Sequence, residues 1–170
     1  MAVRKILYYG DPLLREQARE IKEINGRLQQ LIEDLRETMY AAKGLGLAAT
    51  QIGVLEKVFV TDFGEREGLP RGFMVFINPE IVEAEGELYE EEGCLSIPGY
   101  SARVKRAARV LVRALDREGK PFEMELSGLG ARAIQHELDH LNGILYVDYL
   151  SPLKRKLFLR WWKKHRPKNQ

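Results

Sequence analysis

The chain has 170 residues, of which 45% are hydrophobic and 31% charged, as in one soluble domain with a real core. No apolar run approaches the roughly 20 residues that cross a bilayer, and the run after Arg4 and Lys5, Ile6 to Tyr9, is too short for a secretory signal. A cytoplasmic protein is therefore expected, with residues 1–170 forming a single domain. The one cysteine, Cys94, excludes an intrachain disulfide. It is left as a packing residue, a nucleophile or a metal ligand. Net charge is +2 but uneven. Residues 151–170 carry eight Lys/Arg and no acid, which leaves 19 basic against 25 acidic side chains in the first 150, a balance of −6.

A first helix is predicted over about 26–43. Leu28, Leu31, Ile32, Leu35 and Met39 recur at helical spacing, Asn25 can cap the start, and Gly44 is the expected stop. Strands are predicted at 57–62, 73–78 and 104–115. Asp116-Arg117-Glu118-Gly119 then reads as a hairpin connection to a strand near 122–126. A second helix covers about 129–141 and stops at Asn142-Gly143. A third begins at Ser151-Pro152, an N-cap and first-turn pair, and ends before Pro167. In it Leu153, Leu157 and Trp161 recur every four residues, so this stripe is expected to dock while the basic face stays wet. Strands and helices are grouped rather than alternating, which favours α+β over a wound parallel sheet.

The second predicted helix carries His136-Glu137-Leu138-Asp139-His140. Residues four apart share a helix face. Both imidazoles can therefore reach one metal ion, with Glu137 beside it as general base. An ordinary surface helix is the plainer reading, but these are two of only three histidines in the chain. A catalytic metal needs a third protein ligand and an open position for water. The extended motif with a third histidine fails at Tyr146, and Glu137 is the last glutamate in the chain. Asp148 lies only eight residues after His140, and His165 lies in the basic tail. Upstream, Glu92-Gly93-Cys94-Leu95-Ser96 offers the one thiol, whose thiolate is a strong ligand. Cys94 is the preferred third ligand.

Three separated motifs thus stand in order: Gly44-Leu45-Gly46-Leu47-Ala48-Ala49-Thr50-Gln51, Glu92-Gly93-Cys94-Leu95-Ser96, and Gln135-His136-Glu137-Leu138-Asp139-His140. In this order and spacing the chain resembles the peptide deformylase family, over about residues 6–153. The resemblance implies an α+β fold of short mixed or antiparallel β-sheets around a central HExxH-bearing helix, to which the sequence adds a C-terminal helix. It implies Cys94, His136 and His140 as metal ligands, Glu137 as catalytic acid/base and Gln51 as a catalytic hydrogen-bond donor. The implied reaction is hydrolysis of the formyl group from N-formylmethionine on nascent peptides, with release of formate. An extended substrate backbone is implied to pair with Leu45, Gly46 and Gly93.

On that reading, Glu137 takes a proton from the attacking water and passes it to the leaving amine. The Gln51 amide and the backbone N–H of Leu95 stabilise charge on the formyl oxygen. Leu129, Ala133, His136 and His140 share one helix face, and Ile134, Leu138 and Leu141 the opposite one. Leu129 and Ala133 should then form an apolar wall suited to methionine. Glu92, Arg106 and Asp139 are candidates to hold the ligand loop against the motif helix. The chain departs from a common family pattern at Ser101, where many relatives carry arginine; Arg103 lies nearby, and no substrate-side arginine is assigned.

One thiolate and two imidazoles suit Fe²⁺, Zn²⁺, Co²⁺ or Ni²⁺, and the resemblance favours Fe²⁺. The basic tail is expected to meet an anionic partner, for which the ribosome is the candidate. Neither DNA nor a membrane is an expected partner. Two other readings are an HExxH endopeptidase with a different third ligand, and a metal-stabilised binding module with four protein ligands.

Overall fold

The computed structural model of the chain describes residues 2–168. Helix α1 (Gly26–Ala41) starts where the Asn25 side chain accepts from the Leu28 N–H, and it buries the predicted apolar stripe. Its end differs from the expected glycine stop. Lys43, with φ 58°, takes the left-handed position. The N–H groups of Lys43 and Gly44 then return to the carbonyls of Tyr40 and Met39. This is a Schellman closure with lysine where glycine usually stands.

Strands β1 (Gly46–Ala48), β2 (Val58–Asp62) and β3 (Phe73–Glu85) follow. Next come β4 (Leu88–Cys94), β5 (Ile97–Arg106), β6 (Arg109–Leu115) and β7 (Pro121–Ser127). The main sheet has the order β1-β2-β3-β6-β7, and β4-β5 stand apart as a hairpin; every ladder between these strands is antiparallel. The strand expected at 104–115 is therefore two strands in different sheets. No glycine or proline marks the break. At Ala107 the chain leaves one sheet for the other, and the Gln135 side chain supplies both hydrogen bonds that a neighbouring strand would have made, at 2.9 and 3.0 Å. The strand expected to end at Asn78 instead bends there and continues. Asn78 adopts φ 51°, and its side chain pairs with the N–H and carbonyl of Ile21, both at 2.8 Å.

The sheet separates two helices. Val58, Val60, Val75 and Ile77 face α1, whereas Phe59, Phe76, Val110 and Val112 pack with Ile134 and Leu141 of α2 (Leu129–Leu141). This two-sided burial explains why β2 begins with a continuous apolar run, Val58-Phe59-Val60, rather than alternating. One face of α2 thus meets the sheet, which leaves the other for the β4-β5 hairpin and the site.

Helix α3 (Pro152–His165) is capped by Ser151 as expected, but it docks through a different stripe. Leu153 and Leu157 are 67% and 51% exposed, while Phe158 is fully buried and Trp162 nearly so. Two four-residue repeats run along this helix, Leu153-Leu157-Trp161 and Phe158-Trp162. The aromatic one wins because Tyr9 and Tyr100 present rings to Phe158 at 5.0 and 4.8 Å between centroids. Replacing Phe158 by alanine should therefore cost about 3–5 kcal/mol. Leu157→Ala should change stability by less than about 0.5 kcal/mol. Urea unfolding of the two variants checks this, and equal losses would restore the first stripe.

Candidate active site and metal centre

Helix α2 presents His136 and His140 one turn apart, with ring centroids separated by 4.9 Å. The bend between β4 and β5 brings Cys94 to them. Its Sγ lies 3.2 Å from His140 Nε2, and the ligand atoms of the three residues lie within 4.8 Å of one another. His136 Nδ1 is taken up by Glu92 at 2.9 Å, which leaves Nε2 for the cluster. The two other residues weighed as third ligand are engaged elsewhere. Asp148 pairs with Arg15 at 2.7 Å, and His165 stacks on Trp161.

The donor set fits a metal ion. Burial holds His140 well below its usual pKa, with His136 and Arg106 adding to the effect. His136 goes the other way. Burial lowers it, but Cys94 and Glu92 prevail and raise it. A Cys/His/His set suits a single divalent transition ion.

Glu92 is fixed from behind. Arg106 is 5% exposed and grips both Glu92 oxygens, at 2.7 and 2.9 Å, while its third bond reaches Asp139 at 2.6 Å. Burial alone would raise the Glu92 pKa; Arg106 and then His136 reverse this and bring it to about 2. The Tyr149 hydroxyl donates to the same Asp139 oxygen at 2.8 Å, and its ring lies under the Arg106 guanidinium. Residues from β4, β5 and α2 thus share one charge network, the grouping of Glu92, Arg106 and Asp139 expected from the sequence.

Glu137 is buried, and its Oε1 has no hydrogen-bond partner among the described residues. Burial lifts its carboxyl to about 7, partly offset by His136. Room for it comes from the first motif: a Cβ on Gly46 would lie 2.7 Å from Glu137 Oε2. Gly44 makes the same kind of room for Leu95, whose Cδ1 would meet a Cβ at 2.7 Å. Gln51 follows in a short 3₁₀ turn, Ala49–Ile52. Its Oε1 accepts from the Ala48 N–H at 3.0 Å, which directs Nε2 to Ser96 Oγ at 3.1 Å and towards Cys94 Sγ at 3.7 Å.

These groups share a cleft of ≈ 670 Å³. Leu45, Gly46, Gln51, Gly93, Cys94, Leu95, Leu129, Ala133, His136 and Glu137 all line it, with His140 buried beneath. The structure therefore brings together every ligand, catalytic and substrate-binding residue expected from the sequence. Arg103 is not at the cleft wall; its guanidinium lies over Tyr89. Two residues were missed. Arg132 lines the cleft and donates to the Glu91 carbonyl. Its place one turn before His136, in the series 132, 136, 140, was a usable signal. Ser96, which holds the Gln51 amide, had no signal beyond its place in the second motif.

The one thiol and two imidazoles of the cluster are a donor set that fits a single metal ion, set in an α+β fold. A profile of the family described as polypeptide deformylase matches residues 3–156. A peptide deformylase of Thermodesulfovibrio yellowstonii is 53% identical over 163 residues, 96% of this chain and 98% of that protein. One from Alkalilimnicola ehrlichii is 53% identical over 160 residues, 94% and 89% of the two chains. The crystal structure of a peptide deformylase from Legionella pneumophila superposes with a TM-score of 0.89 at 50% identity, covering 96% of this chain and 95% of that one. The chain belongs to the peptide deformylase family, enzymes that remove the N-terminal formyl group.

If Cys94 completes the ligand set, Cys94→Ala should lose most of the bound transition metal while remaining folded. Elemental analysis beside circular dichroism checks this. Retention of a full equivalent of metal would point to another third ligand.

Proposed function

We propose that Cys94, His136 and His140 hold the working metal ion, and that Glu137 and Gln51 carry the deformylation chemistry. The observation that supports this most is the convergence of these side chains at one cleft, with His140 beneath it and Glu137 Oε1 without a hydrogen-bond partner among the described residues. The bound ion would supply Lewis-acid chemistry, polarising a carbonyl and acidifying water. Glu137 receives the proton of the attacking water on its free oxygen. It hands that proton to the amine as the formyl C–N bond breaks, and formate departs. The Gln51 amide, locked in orientation by Ala48 and Ser96, donates Nε2–H to the formyl oxygen as negative charge builds there. The backbone N–H of Leu95 is the second donor.

The apolar sides of Leu129 and Ala133 suit the methionine side chain. Strand β1 ends the sheet, so its outer edge can accept an extended peptide beside Leu45 and Gly46, with Gly93 on the facing hairpin. Fe²⁺ is the proposed working ion, with Zn²⁺, Ni²⁺ and Co²⁺ as ions the same donors accept. Metal analysis of anaerobically purified protein decides among them.

Glu137→Ala should keep the metal and lose nearly all formate release from formyl-Met-Ala-Ser. Gln51→Ala should lower kcat by about 10²–10³ with a much smaller change in KM. Near-normal turnover in the first variant sinks the assigned mechanism. A rise in KM alone in the second would make Gln51 a binding residue.

A cytoplasmic enzyme that meets nascent chains at the ribosome completes the proposal. No described helix is long and apolar enough to cross a membrane. Lys163, Lys164, Arg166 and Lys168 gather at the end of α3 around a polar hollow, a surface that could neutralise phosphates of ribosomal RNA. Changing these four to Gln leaves the Phe158-Trp162 stripe intact. The variant should keep full activity on a short formyl peptide but co-sediment less with ribosomes at low salt. Unchanged sedimentation removes the tail from this role.

A further inference from the structure

We propose that Trp161 is a positioning residue for the substrate cleft, bracing the bulge Pro98-Gly99-Tyr100 that sets the place of Gly93. The inference rests on the proposal that Gly93 pairs with the substrate backbone. Gly93 and Cys94 are adjacent on β4, but their partners on β5, Ser101 and Ile97, are four positions apart. Three residues therefore loop out of the ladder at the point where the candidate metal ligand enters the site. A bulge lacks the ladder bonds that would hold it, so its support comes from outside the hairpin.

That support is aromatic and comes from two directions. The Tyr146 hydroxyl donates to the Tyr100 carbonyl at 3.1 Å. The Tyr100 ring packs on Phe158 and Trp161, with centroids at 4.8 and 5.0 Å. Gly99, with φ 84°, presents bare backbone to the Trp161 indole; a Cβ there would sit 3.6 Å from Cη2. The bulge lines the cleft on its other side. Its Tyr100 carbonyl oxygen lies 3.5 Å from where a Gly93 Cβ would be. A path of direct packing thus runs from Trp161 through the bulge to Gly93.

Trp161 is not the anchor of its own helix. Phe158 and Trp162 fill that role and are buried, whereas Trp161 is only partly so. Its contacts with Gly99 and Tyr100 face the cleft wall, which makes the basic helix and the substrate cleft neighbours through one side chain. Removing the indole frees the bulge more than it loosens the helix. The effect should fall on substrates long enough to need Gly93.

The test compares Trp161→Ala, Trp161→Phe and wild type, using formyl-Met-Ala-Ser and the shorter formyl-methionine amide, with melting temperature measured in parallel. Trp161→Ala should raise KM for the tripeptide about fivefold with kcat nearly unchanged. It should leave the KM of the amide close to wild type, and Trp161→Phe should recover most of the loss. Should Trp161→Ala fail to fold, Trp161→Leu, which keeps apolar bulk without the reach of the indole, carries the same comparison. An unchanged tripeptide KM, or equal losses on both substrates that follow the melting temperature, overturns the bracing role alone. Absence of formate release by the wild type would overturn the deformylase reading and this inference with it.

Discussion

Arg106 is the constraint on which the site depends. It sits at the end of β5, is nearly fully buried, and spends its charge on Glu92 of β4 and Asp139 of α2. Burying one cation with two carboxylates is not an efficient way to gain stability, because desolvation offsets much of the attraction. What it supplies is position. Glu92 can hold His136 Nδ1 only if its own oxygens are held, and Arg106 holds both. The hairpin that brings Cys94 and the helix that brings the histidines are thereby locked in one relative placement.

Small residues make that placement close. The glycines of the first motif are used less for turning the chain than for letting side chains from elsewhere approach its backbone. Gly46 admits the Glu137 carboxylate and Gly44 admits Leu95, each at a distance that a Cβ would forbid. Gln51, the third residue of the short turn, then points into the same space because its amide oxygen is tied to the N–H of Ala48, the last residue of β1. A chain segment of ordinary composition becomes a catalytic wall through what packs on it. The N-terminal segment adds a clamp, with the Leu7 N–H bonded to the Gln51 carbonyl and the Tyr9 N–H to that of Ser96.

The C-terminal helix combines two demands on one surface. Its inner face must match a ring of aromatics, and its outer face carries the charge excess of the tail. The same helix leaves Leu153 and Leu157 in solvent and buries Phe158 and Trp162. Choosing between two equal periodicities requires knowledge of the partner surface. Here that surface is Tyr9, Tyr100 and Tyr146, residues drawn from three distant parts of the chain.

Most of the cleft residues were legible only through the family resemblance of three separated motifs; by itself the sequence determined the helices, the caps at Asn25 and Ser151, and the two histidines on one face. These features follow from local geometry: a 3.6-residue period places side chains on a face, and a cap needs only its neighbours. Only the tertiary structure decided where strand 104–115 breaks, which stripe of α3 docks, why Lys43 rather than Gly44 ends α1, and that Ser96 holds the Gln51 amide. In each case the deciding group is remote in sequence or absent from any pattern. Gln135 replaces a strand partner at Ala107, and Tyr100 selects Phe158. At the end of α1, the close approach of Leu95 occupies the space beside Gly44. Periodicity specifies which face of an element is apolar, but the face that meets it is set by packing across the whole chain.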